Sequence, residues 1–127
     1  MKQRKNLGIW MDHTNAHLIE YTSDGVQNQE LNNDFSHQDM QAHMQQAEHT
    51  AHNKEQQQQA NFYNKIADVM EQYHHVLLFG PTDAKKELMN VLKDNHKFEN
   101  IHMVAETTDK MTTPQMNAYV LDYFKKH

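Results

Sequence analysis

The sequence predicts an α/β domain over residues 1–127, a three-layer fold around a mixed five-stranded sheet in the order β-β-β-(polar arm)-α-β-α-β-α. Three observations carry this. Val76 to Phe79 form an uninterrupted apolar run that stops at Gly80-Pro81, and a strand without a polar face needs cover on both sides, as in a mostly parallel sheet. The apolar positions that follow, Ala84, Leu88, Val91 and Leu92, recur at helical spacing, so the strand feeds a helix. Near the N-terminus, short apolar runs are separated only by turn residues, which makes an antiparallel meander.

Leu7 to Met11 reads as the first strand. Asp12-His13-Thr14-Asn15 reads as a turn, because aspartate and asparagine bond their own backbone and tolerate left-handed conformations. Ala16 to Tyr21 is a second strand with His17, Ile19 and Tyr21 on one face and Ala16, Leu18 and Glu20 on the other. Ser23-Asp24-Gly25 supplies a hairpin turn, and Val26 to Leu31, poorer in apolar residues, fits a third strand near an edge. From about residue 33 to 59 the composition shifts to Gln, His, Asn and Glu, which predicts a polar arm, helical in part. Phe62, Ile66, Val69, Met70 and Tyr73 then form an apolar helical stripe that His74-His75 would end, imidazole suiting the helix C-terminus. After the buried strand, Thr82 is the expected N-cap with Asp83 in the first turn, and the helix should end near Asp94-Asn95. Ile101 to Ala105 is the last strand. Thr113-Pro114 opens a final helix whose stripe is Met116, Tyr119, Val120, Tyr123 and Phe124. Trp10, Phe62, Tyr73, Phe79 and the aromatics of the final helix are core candidates.

A chain of 127 residues suits one domain. There is no cysteine, which excludes disulfides and thiolate metal sites and agrees with a cytoplasmic location. Leu7 to Met11 is too short an apolar run for a secretory leader, and no stretch approaches membrane-spanning length. The net charge of −5 counts eleven histidines as neutral, so acidification should alter solubility and partners. Arg4 is the single arginine, a poor endowment for phosphate recognition, and broad nucleic-acid binding is disfavoured.

A three-stranded meander followed by alternating helices and strands is the ribonuclease H-like arrangement. Gly8-Ile9-Trp10-Met11-Asp12 with its hairpin, Val76-Leu77-Leu78-Phe79-Gly80-Pro81, and Asp83-Ala84-Lys85-Lys86-Glu87-Leu88 resemble the middle domain of the archaeal and eukaryotic peptide-chain release factors and their Pelota relatives. The resemblance covers most of the chain except the arm. In a release factor that domain carries a Gly-Gly-Gln loop, between the third strand and the first long helix, that assists peptidyl-tRNA hydrolysis. Here the interval holds no glycine between Gly25 and Gly80, and without glycine the backbone cannot readily adopt so open a loop. The resemblance therefore implies a non-hydrolytic binding module like a standalone bacterial version of the family, with the ribosome or a translation protein as partner and no cofactor.

Each candidate site has a plainer reading. Asp12 would hold the recurrent acidic position of a ribonuclease H-like metal-dependent phosphodiesterase, but two-metal cleavage needs several converging carboxylates. Glu20, Asp68, Glu71 and Asp83 cannot be placed beside Asp12 from spacing, and a residue closing a hairpin turn is the favoured reading of it. His43, His49 and His52 could gather a transition metal on a helical arm, although a histidine-rich tract produces such spacings without one. Gly80 to Lys86 lacks the second glycine and hydroxyl of a phosphate loop and reads as a structural turn, with Lys85 and Lys86 on a solvated face. Phe35, Met40 and Met44 are hard to bury within the arm and are candidate partner contacts, for another protein or for a homo-oligomer built through the arm.

Overall fold

A computed structural model describes residues 5–32 and 48–126, and the side chains throughout these ranges except those of 48–56. The meander comprises β1 (Asn6–Met11), β2 (Asn15–Thr22) and β3 (Gly25–Asn32). Then follow α1 (Glu48–Met70), β4 (His75–Gly80), α2 (Ala84–Leu92), a single 3₁₀ turn at His96–Phe98, β5 (His102–Thr107) and α3 (Thr113–Lys126). The sheet runs β3-β2-β1-β4-β5, with β1, β4 and β5 parallel and the β1–β2 and β2–β3 pairs antiparallel. The α/β class, the mixed five-stranded sheet and the element order are those the sequence predicts.

Alternation along the strands divides the core into two layers. Leu7, Ile9, Met11, Leu18, Val76 and Leu78 face α1 and α2. Trp10, Ile19, Leu77 and Phe79 face Met116, Val120 and Phe124 of α3. Gly8 lies between these layers for a packing reason: a Cβ there would overlap the side chain of Val120, so glycine lets α3 approach β1 closely. Gly80 is required by the backbone as well. Its φ is +148°, and a Cβ would run into the carbonyl of Met11 on the adjacent strand.

Several boundaries differ from the sequence expectation. α1 begins at Glu48, so residues 48–59, read as arm, are the first half of the helix that carries Phe62, Ile66 and Met70. The reason is propensity: the stretch has no glycine or proline to stop a helix propagating backward from its buried half. His74-His75 does not end that helix, which stops at Met70. Both amides bond the Lys5 carbonyl, and His75 opens β4, because the backbone here must pair with the start of the sheet. α2 starts one residue later than expected, with Asp83 at the cap position and no side-chain cap bond, although Thr82 Oγ1 still accepts from the Ala84 amide.

Lys85 and Val91 exchange the environments expected of them. Lys85 is fully buried and Val91 is 53% exposed. The buried arc of α2 is rotated toward Lys85 and Met89, which carries Val91 to the rim. The ammonium can be buried because it donates to the carbonyls of Gly80, at 3.1 Å, and Thr82, at 2.5 Å.

The fit of α3 over β1 is directly testable. Gly8→Ala should cost about 1–3 kcal/mol in urea unfolding, the range for overpacking a filled core, and Val120→Ala in the same chain should recover part of that loss although it is destabilising alone.

Candidate functional site

In open sheets of this kind functional groups gather beyond the carboxyl ends of the parallel strands. Here β1, β4 and β5 end at Met11, Gly80 and Thr107. Asp12 follows directly, and its Oδ1 accepts from the Thr14 amide at 2.8 Å, the Thr14 hydroxyl at 3.1 Å and the Asn15 amide at 2.7 Å. That is the bonding of an aspartate folding its own hairpin. Three of the acids named with it have partners of their own: Glu20 accepts from Tyr73 OH on the α1 side, Glu71 pairs with Lys97, and Asp83 lies 3.9 Å from Lys86. Tyr73 is pushed up to about 12 by burial and by its bond to Glu20. Among the described residues no group of three or more His, Asp or Glu side chains is placed to hold a metal ion.

The acid that does reach the β1–β2 hairpin is Glu87, in the first turn of α2. Its carboxylate accepts from His13 Nε2 at 3.0 Å and from Tyr63 OH at 2.7 Å, linking the hairpin, α2 and α1. Since an ionised carboxylate only accepts, His13 must carry a proton on Nε2. The two hydrogen bonds hold Glu87 below the usual carboxylate range, His13 contributing most. Burial, then the same carboxylate, drives the Tyr63 phenol upward. His13 and Glu87 are about half exposed, so the pair can present an oriented imidazole to solvent while tying three elements together. Sequence reasoning missed it. Glu87 stands on a helix face that reads as solvated, and Tyr63 sits one place from the Phe62 stripe, so no local spacing announces their meeting.

The Gly80–Asp83 loop is closed by its own chain. Lys85 spends its ammonium on two loop carbonyls and Thr82 Oγ1 takes the first helical amide, so neither is presented to an anion. Burial lowers the Lys85 pKa. His49 and His52 lie on α1 within 48–56, so the backbone puts them three residues apart on a helix. His43, Phe35, Met40 and Met44 fall outside the described residues.

A buried parallel pair extended by an antiparallel meander, with two helices on one face and one on the other, can be set beside solved structures. The fold is that of the Pelota and release-factor middle domain. The chain is similar to Archaeoglobus fulgidus Pelota with a TM-score of 0.61 at 12% identity, over 96% of this chain and 32% of that one. It is similar to the Thermoplasma acidophilum Pelota protein with a TM-score of 0.57 at 10% identity, over 98% of this chain and 32% of that one. For the archaeal translation termination factor aRF1 the TM-score is 0.50 at 12% identity, over 96% of this chain and 39% of that one. The chain thus spans about a third of the length of these Pelota proteins. No protein-family model and no curated protein sequence matches it.

Glu87 has a folded-state pKa below its unfolded value, so its stabilisation is complete above the ordinary carboxylate value of 4.5 and is lost as pH falls through the lower folded value. Thermal melts of the parent and Glu87→Gln should therefore differ most near neutrality and converge in acid. Asp12→Ala should lower unfolding stability by about 1–2 kcal/mol through loss of the hairpin bonds. If Asp12 serves only the turn, the parent protein with manganese or magnesium will cut neither RNA nor DNA.

Proposed function

We propose that this chain is a non-catalytic binding module of the translation apparatus, acting through contacts with the ribosome or a translation protein in the cytoplasm. The observation that carries the reading is the Pelota and release-factor middle-domain fold across nearly the whole chain. The absence of glycine between Gly25 and Gly80 argues against a Gly-Gly-Gln-type hydrolytic loop, because glycine's freedom at positive φ is what such a loop uses. The self-satisfied Asp12 turn gives no support to a phosphodiesterase centred there. In this proposal the polar arm is the contacting element, with Phe35, Met40 and Met44 as its apolar anchors, and an anchor set on a polar segment suits docking into a partner's groove.

Sedimentation of cell extracts through sucrose gradients tests this directly. The protein is expected with ribosomal particles in growing or stressed cells, and the combined Phe35→Ala, Met40→Ala and Met44→Ala substitutions should move it to the free fraction. Absence from every ribosomal fraction would reject the ribosomal assignment. Release of peptide from peptidyl-tRNA by the purified chain would reject the non-catalytic one.

A further inference from the structure

The two edges of the sheet are built differently. β3 shows water a run of polar side chains, Gln27, Asn28, Gln29 and Glu30. β5 has no lysine or proline, two of the devices that keep a strand edge from pairing, and its one acidic residue is Glu106. Among the described residues no strand pairs with its outer side. The His102 amide bonds the His74 carbonyl and the Thr108 amide the Gly80 carbonyl. Even-numbered residues of β5 therefore turn their backbone groups toward β4, and by alternation Met103, Ala105 and Thr107 turn theirs outward.

Beside this edge lies a groove. On this face the described residues provide one helix, α3, to cover the sheet, and its margin leaves an opening of about 210 Å³ lined by Glu106, Tyr119, Asp122, Tyr123 and Lys126. Lys126 donates to Asp122 at 3.3 Å, so these two offset each other. Glu106 differs. It accepts from the Tyr119 hydroxyl, a neutral donor, and among the described residues no cation pairs with it. Its carboxylate shares the opening with two phenol groups, Tyr119 being held in place by stacking on Phe79 at 4.7 Å between centroids. Burial first, and then Glu106, raise the pKa of both tyrosines, so the rings stay neutral phenols. A carboxylate that shares an opening with two phenol groups is chemistry suited to an ammonium or guanidinium group.

We propose that β5 accepts an extended basic peptide segment of another protein as a sixth strand, with a lysine or arginine of that segment seated among Glu106, Tyr119 and Tyr123. Backbone pairing to Met103, Ala105 and Thr107 supplies affinity, and the groove supplies the preference for positive charge. A residue of the added strand directly opposite Glu106 stands within about 5 Å of it on the same face, close enough for its side chain to enter. The inference does not depend on the translational assignment, and its test uses no ribosome.

The probe is a labelled synthetic peptide alternating threonine and lysine, followed by fluorescence anisotropy. A glutamate-for-lysine version and a version N-methylated on alternate amides serve as comparisons. The lysine peptide should bind while the glutamate and N-methylated peptides do not, and binding should slow hydrogen exchange at the Met103, Ala105 and Thr107 amides. Glu106→Gln preserves shape and an acceptor for Tyr119, and should weaken binding about tenfold, the scale of one charge-assisted hydrogen bond. Equal binding of the lysine and glutamate peptides, or unchanged exchange at those three amides, would overturn the proposal. Concentration-dependent protection of the same amides without peptide would overturn it too, in favour of pairing between two copies of this chain.

Discussion

Leu7 to Met11 and Val76 to Gly80 run side by side and parallel, with every residue withdrawn from water. A strand pair without a wet face cannot persist unless both of its sides are covered, and that demand shapes the rest of the molecule. α1 and α2 cover one side through Phe62, Ile66, Leu88 and Leu92, and α3 covers the other through Met116, Val120 and Phe124. The strands approach so closely at Gly80 and Met11, and α3 comes so near β1 at Gly8, that only glycine fits at either point.

Covering the pair also determines where polar chemistry can collect. At the carboxyl ends of β1 and β4 the loops close on themselves: Asp12 folds its hairpin, Lys85 binds the carbonyls of its own turn, and Glu87 gathers His13 and Tyr63. This end of the sheet is consolidated by internal bonds. The opposite condition holds at the β5 margin, where one helix on the face leaves Glu106 with a neutral partner and the strand edge without a neighbour among the described residues. Loops closed by their own bonds at one end thus contrast with a strand edge whose outward backbone groups can still take a further strand.

Much of this was legible residue by residue. The faces of β2, the Asp12 turn, the β4 run and the stripe of α3 all rest on interactions between near neighbours, and each appears where the periodicity puts it. The departures have separate causes. α1 runs back to Glu48 because a helix anchored by Phe62 and Ile66 propagates through polar residues that carry no stop signal. Lys85 is buried and Val91 exposed because carbonyl acceptors from a neighbouring loop changed which arc of α2 could be covered.

The sequence by itself determined the elements, their order, the strand that must be inside and the missing glycines, since all of these follow from backbone preference and from which side chains avoid water. Tertiary structure alone decided which polar groups distant in the chain meet. His13 and Glu87 are 74 residues apart in the chain, and Tyr63 is 24 from Glu87. No local pattern encodes such meetings. They exist because sheet order and helix rotation bring distant segments to one corner, where a carboxylate takes the nearest donors that burial leaves it.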